Sequence, residues 1–178
     1  MSNITAGTWN LDPTHTEVGF TVRHLMSKVR GKFETFEGVL VTADDITASS
    51  VNVSVDLSSI NTGTADRDAH LRSGDFFGVD TYPTLTFTST GVVDKGDNEF
   101  VVTGDLKIKD VTKSVELAVD FLGEGGDPWG GTRVGVEATT TISRKEFGID
   151  FNIPVGGDTV MIGDKITINI VAEAVLQA

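Results

Sequence analysis

The 178-residue chain contains no cysteine. Disulfides, thiolate catalysis and Cys-ligated zinc or iron–sulfur centres are therefore excluded. Cations are scarce: 14 Lys and Arg stand against 26 Asp and Glu, a formal net charge of −12. Phosphate backbones are bound by clustered Lys and Arg, so nucleic acid is not an expected partner. An anionic membrane surface is expected to repel so acidic a chain. No apolar run approaches the roughly 20 residues of a membrane span. The N-terminal residues 1–7 have neither a basic start nor an apolar stretch, so no export signal is expected and a cytoplasmic location is.

The β-branched residues dominate what is present. There are 22 Val, 23 Thr and 11 Ile, nearly a third of the chain. Such side chains are stiff at χ1 and suit a pleated surface. Their pattern has period two. Thr16, Val18, Phe20 and Val22 share one face of 15–24. Val51, Val53, Val55 and Leu57 alternate with Asn52, Ser54 and Asp56. The same alternation recurs in 84–88, 100–109, 115–121, 134–142 and 166–176. An eighth run, 30–43, switches parity: Phe33 and Val39 share one face, Phe36 and Leu40 the other. A bulge, or a strand covered on both faces, explains such a switch.

Several runs reach ten or more residues. Strands of that length twist strongly, and closure into a barrel removes their edges. Eight antiparallel strands enclose an interior just wide enough for one ligand or for side chains alone. A sandwich is the rival architecture. No linker or internal repeat divides the chain, so residues 1–178 read as one domain.

Residues 64–73 break the alternation and read as a short helix. Thr64 is placed to cap it, Asp66 and Asp68 to favour its positive end, Asp68 and Arg72 to pair at i,i+4, and Gly74 to end it. The Gly-rich stretch 123–131 lacks the Gly-Lys-Ser/Thr and the following helix of a phosphate loop, so it reads as a hairpin loop, with Trp129 as its anchor rather than a lid. Residues 144–158 read as a longer connection.

Chemistry-bearing motifs are few. His15, His24 and His70 lack metal-ligand spacing, and a metal-dependent or hydrolytic enzyme would need them to converge in space. Gly-X-Ser-X-Gly is absent. The Asp44-Asp45 pair reads as a solvated turn. No catalytic residue, metal site or cofactor is expected. The most unusual segment is 61–88, where two arginines, a histidine and four acids stand beside Phe76-Phe77. It reads as a polar mouth over an apolar cavity, or as a charged helix plugging one barrel end.

That segment carries a family resemblance. The pieces are Trp9–Thr16 with Val18–His24, Gly31-Lys32-Phe33 with Phe36-Glu37-Gly38, Asp66–Ser73 with Asp75-Phe76-Phe77, Tyr82–Ser89, and Ser143–Ile149. Together, in this order, the chain resembles the YceI-like family of polyisoprenoid-binding, lipocalin-like barrels. Gly78 departs from the acidic or Asn residue expected there. The resemblance implies an all-β, extended eight-stranded antiparallel up-and-down barrel with a short helix near one end. It implies non-enzymatic binding, storage or transport of a long-chain polyisoprenoid, an isoprenoid quinone or a prenyl phosphate. Many members carry a leader peptide, and none is read at this N-terminus.

A prenyl tail is apolar and long, and water rejects it at about 25 cal/mol per Å2. A barrel lined by Phe, Val, Leu and Ile accepts it without specific hydrogen bonds. Alternation nominates Phe20, Val22, Phe33, Phe76, Phe77, Leu85, Phe87, Leu117 and Val119 as pore lining. For a phosphate head group the choices are Arg67, Arg72 and Arg144. For a quinone, one or two donors such as His24 suffice, and His70 stands in the same segment. The alternative is a stress-linked structural or interaction protein whose barrel is filled by its own side chains. A homodimer through an exposed strand face is kept open.

Overall fold

A computed structural model describes residues 4–156 and 159–178 of the chain. Eight long antiparallel staves close on themselves. The first is made of β1 (Gly7–Leu11) and β2 (Glu17–His24). The second is β3 (Ser27–Phe33) with β4 (Phe36–Thr42), and the third is β5 (Ser50–Asp56) with the short β6 (Ile60–Asn61). Single strands make the other five: β7 (Thr84–Gly96), β8 (Glu99–Ile108), β9 (Val111–Gly126), β10 (Thr132–Ser143) and, after the small hairpin of β11 (Pro154–Gly156) and β12 (Thr159–Val160), β13 (Ile162–Leu176). Each stave pairs with the next, and β13 pairs with both β1 and β2, which closes the barrel. The up-and-down barrel expected from the sequence is the fold. The sandwich is not.

Two staves bend because local polar groups replace ladder bonds. Asp12 accepts from the Thr14 N–H at 3.0 Å, and Pro13 starts a 3-10 turn that separates β1 from β2. The second stave breaks at Glu34 and Thr35, whose N–H groups both reach the Ser59 hydroxyl. That break accounts for the parity switch. It turns Phe33 and Phe36 inward together, and both are buried. Leu40 then faces the interior and Val39 the solvent. Residues 7–11 and 89–96 carried no clear alternation, yet both are strand. In the second case a bulge at Ser89–Gly91 slips the register, so the period-two pattern ends at Thr88 while the strand continues.

One end of the barrel is sealed. Trp9 is fully buried there, and its indole N–H donates to Thr42 Oγ1 at 2.9 Å. The Gly-rich loop lies at this end. Its anchor is Asp127, which accepts from the Trp129 and Gly131 N–H groups and from Arg133 Nε. Trp129 itself is 76% exposed and rests against the Arg133 guanidinium, so it is not the anchor expected.

At the other end the third stave stops at Asn61, and among the described residues β6 pairs only with β3. The chain leaves the sheet to form α1 (Ala65–Arg72), returning at Thr84. Thr64 occupies the N-cap position without a side-chain bond. Asp68 is buried and instead fixes the approach to the helix, accepting from Thr62 N–H at 2.9 Å and Thr62 Oγ1 at 2.5 Å. The expected Asp68–Arg72 pair does not form, because Arg72 Nε donates instead to the Ser58 carbonyl at 3.0 Å. Ser73 is the C-cap, followed by Gly74. Gly78 has φ +57°, and its N–H closes a turn on the Ser73 carbonyl. Glycine adopts that backbone without strain, and Asn and Asp are the other residues that visit it, so the position is one of left-handed backbone whichever of them occupies it.

Candidate functional site

The interior holds two cavities of about 220 Å3 each. Phe20, Phe33, Leu85 and Ile168 line both, so the chambers share a wall of movable side chains. The inner chamber reaches from this wall toward the sealed end, past Val134 and Ala174. Among the described residues its single polar side chain is Thr140. The outer chamber lies beneath α1 and the 144–161 connection.

Small residues make the room. A Cβ at Gly31 would overlap the Phe20 ring, so glycine lets that ring lie flat against the barrel wall. Gly104 does the same for Phe87. Ala138, Ala172 and Ala174 face the inner chamber where larger residues would fill it.

The residues nominated by alternation have definite places. Phe20, Val22, Phe33, Phe76, Phe77 and Leu85 line the outer chamber. Phe87, Leu117 and Val119 line the inner one. His24, Arg67, His70 and Arg144 all border the outer chamber. Arg72 does not; it lies in a separate surface groove. The sequence reading missed the contribution of the 144–161 connection, which supplies Ile149, Phe151 and Met161 to the outer chamber. Their signal was present, because Phe147, Ile149, Phe151 and Ile153 recur at every second residue.

Arg144 has the most unusual setting. It is 4% exposed, and its Nε donates to the Gly163 carbonyl at 2.9 Å. Its Nη1 donates to the Ile149 and Phe151 carbonyls, both at 2.9 Å, and Nη2 to the Ile162 carbonyl at 3.3 Å. No carboxylate is bonded to it among the described residues. Burial pulls its pKa down, opposed by the fields of Asp164 and Asp150. Asp164 is engaged elsewhere, accepting from Ser143 Oγ and the Lys145 N–H. The guanidinium thus brings a net positive charge to an apolar chamber. Arg67 is similar: Nε donates to Thr62 Oγ1 and Nη2 to the Thr62 carbonyl, both at 2.7 Å. His70 Nε2 lies 2.9 Å from Asp75, and its ring packs edge-on against Phe76 and Phe151.

The three histidines do not converge. His15 sits at the β1–β2 bend, 2.7 Å from Asp12, away from both chambers. Asp12, His15 and Glu173 cluster there, but Arg133 Nη1 already bridges Asp12 at 2.6 Å and Glu173 at 3.2 Å. The His15 bond and then Arg133 hold the Asp12 carboxyl well below the usual carboxylate range. This network ties the first stave to β10 and β13.

The model of the YceI-like domain matches residues 9–174. The chain belongs to the YceI-like family. Among its relatives, a UPF0312 protein of Vibrio vulnificus is 46% identical over 145 residues, 80% of this chain and 75% of that protein. One from Ectopseudomonas mendocina is 42% identical over 148 residues, 82% of this chain and 78% of the relative. The crystal structure of the Campylobacter jejuni YceI protein superposes with a TM-score of 0.75 at 30% identity, covering both chains completely. Burkholderia cenocepacia BcnA shares the fold, with TM-score 0.81 and 21% identity over 92% of this chain and 98% of its own. So does a polyisoprenoid-binding domain from Saccharophagus degradans, with TM-score 0.69 and 18% identity over 97% of this chain and all of that one. Among the described residues no helix of this YceI-like chain is long and apolar enough to cross a membrane.

Proposed function

We propose that this YceI-like protein is a non-enzymatic carrier of a long-chain polyisoprenoid lipid, an isoprenoid quinone or a prenyl phosphate. The observation that carries the reading is the graded pore: an inner chamber almost without polar groups, opening to an outer one edged by two arginines and two histidines. Two chambers of about 220 Å3 each together fall within the range of about 300–1,000 Å3 typical of ligand sites. The name of the Saccharophagus degradans domain, which shares the fold, supports the same ligand class.

The energetics favour a tail in the inner chamber. Taking a five-carbon unit out of water is worth about 4 kcal/mol, at about 0.8 kcal/mol per carbon. One to four such units offset the association cost of about 4–15 kcal/mol. The head group then lies in the outer chamber. Arg144 and Arg67 present charge without a bonded carboxylate, which suits a phosphate or a quinone carbonyl. His24 and His70 stand at the same chamber as further donors.

The rival expectation, a barrel filled by its own side chains, meets two unfilled chambers. The experiment is reconstitution of the delipidated protein with a prenyl quinone and with a prenyl phosphate. Retained lipid is then measured for the wild type and for Phe87→Asp. The variant is expected to lose retention far more than it loses secondary structure. If Phe87→Asp does not fold, Leu117→Asn on the same wall serves. Full retention in a folded variant refutes a tail in the inner chamber.

A further inference from the structure

We propose that the mouth end of the barrel docks on an anionic lipid bilayer, with the Leu25–Met26 turn entering the interface. The net charge of −12 argued against any such contact, but the charge is not evenly spread. Of the 14 lysines and arginines, Lys95 and Arg133 lie beside the turns of the sealed end, and the rest lie in the mouth-side half. That sealed end collects acids such as Asp44, Asp45, Asp97, Glu99 and Asp127. A molecule polarised in this way presents its mouth to a negative surface.

The outer face of β2–β3 concentrates the cations. Arg23 pairs across the ladder with Lys28, Thr21 with Arg30, and Gly19 with Lys32. Val22 and Val29 between them face the outer chamber, so the cations face away from it. Lys165 on the adjoining β13 extends the patch. None of the five forms an ion pair among the described residues. Residues 18–33 contain no Asp or Glu, whereas the other segments of this end carry Asp66, Asp68, Asp75, Asp80, Asp110, Glu146, Asp150 and Asp164, so the β2–β3 side, not α1, is the face that suits an anionic surface.

The tip of this hairpin is apolar where it has no structural reason to be. The other two-residue turns of the barrel are Asp97-Asn98 and Lys109-Asp110, polar residues that tolerate positive φ in Asp97 (54°), Asn98 (65°) and Lys109 (59°). Here the positive-φ position is Leu25 (54°), 46% exposed, followed by Met26 at 102%. A branched side chain is strained in that conformation. The tip is laced to the neighbouring connection, because Leu25 N–H donates to the Met161 carbonyl and Met161 N–H to the Ile153 carbonyl. That connection exposes Ile153 and Val155 as well, and Ile153 and Met161 also line the outer chamber. The apolar rim is therefore continuous with the cavity a membrane lipid would enter. Exposed apolar side chains beside clustered Lys and Arg are the chemistry of interfacial binding to anionic lipid.

The proposal uses the carrier reading only for the purpose of the contact. Vesicle binding and lipid retention are measured separately, so either can fail without the other. The test is flotation of the full chain with vesicles of phosphatidylcholine and phosphatidylglycerol, against pure phosphatidylcholine, at low ionic strength. The wild type is expected to float with the anionic vesicles only. Each cation near such a surface strengthens binding about fivefold, so the triple variant Arg23→Gln, Lys28→Gln, Arg30→Gln is expected to bind about a hundredfold more weakly. The double variant Leu25→Asn, Met26→Gly is expected to lose about tenfold or more. Asn relieves the strain at position 25, so this variant folds at least as well as the wild type. No flotation of the wild type, or binding unchanged in either variant, overturns the proposal. Loss of a concentration-dependent dimer in the variants, with no wild-type vesicle binding, also overturns it and assigns the face to a second copy of this chain.

Discussion

Replacing Ala138 by leucine is expected to stabilise the lipid-free barrel and to evict its ligand. Ala138 lies between Val119 and Ile170 across the ladders and faces the inner chamber. An empty apolar cavity costs about 24 cal/mol per Å3, so a chamber of about 220 Å3 represents about 5 kcal/mol of missing packing. Leucine adds three carbons, worth up to about 2.4 kcal/mol at about 0.8 kcal/mol each. At about 2–4 °C per kcal/mol for a domain of this size, Tm of the delipidated protein is expected to rise by about 5–10 °C. Lipid retention is expected to fall, because the side chain occupies the tail's space. Calorimetry of the delipidated variant and extraction of the reconstituted one give both quantities. A well-packed interior would instead be overfilled, at a cost of about 1–3 kcal/mol. A lowered Tm with lipid retention unchanged refutes the chamber as a tail site.

Three further outcomes follow from named groups. Arg144→Met removes the guanidinium donor from the buried Ile149 carbonyl and the part-buried Gly163 and Phe151 carbonyls, while Ile162 keeps its bond from Asn152 Nδ2; at about 1–3 kcal/mol per orphaned group, chemical denaturation is expected to show a loss of about 3 kcal/mol or more. Gly31→Ala pushes the Phe20 ring off the barrel wall into the pore; an overpacking loss of about 1–3 kcal/mol with reduced lipid retention is expected, measured by calorimetry and extraction. Asp12 has a folded pKa lowered by His15 and Arg133, so its contribution is complete above its unfolded pKa and fades as pH falls through the lower folded value. Asp12→Asn is therefore expected to lower Tm at neutral pH, with the gap from the wild type closing below about pH 4 in a pH series of melts; a gap that widens in acid refutes the assignment.

The barrel was legible because most of its strands bury one face and solvate the other, which writes period two into the residues. Legibility failed where backbone geometry, not burial, sets the pattern. The 34–35 break turns Phe33 and Phe36 the same way, and the bulge at Ser89–Gly91 hides the second half of β7. The strand residues that line the chambers were legible through alternation, since an inward face in a barrel is a pore face, whereas Phe76 and Phe77 are consecutive and lie outside any strand. Arg72 could not be told from Arg67 or Arg144 by type, because which carbonyl each guanidinium meets depends on the path of the 57–83 segment for Arg67 and Arg72 and of the 149–163 stretch for Arg144. Ile149 and Phe151 were missed because their alternation lies in a segment that forms no strand. The polarity of the charges along the barrel axis was invisible for a related reason: residues distant in sequence share an end only once the strands are laid antiparallel.

The central claim is that the graded pore holds a prenyl lipid. It is tested most directly by purifying the untagged protein under native conditions, extracting it with organic solvent and identifying the extract by mass spectrometry. The account predicts one polyisoprenoid per chain, with a phosphate or quinone head group. An extract without prenyl lipid, and no uptake after incubation with prenyl quinones and prenyl phosphates, contradicts it.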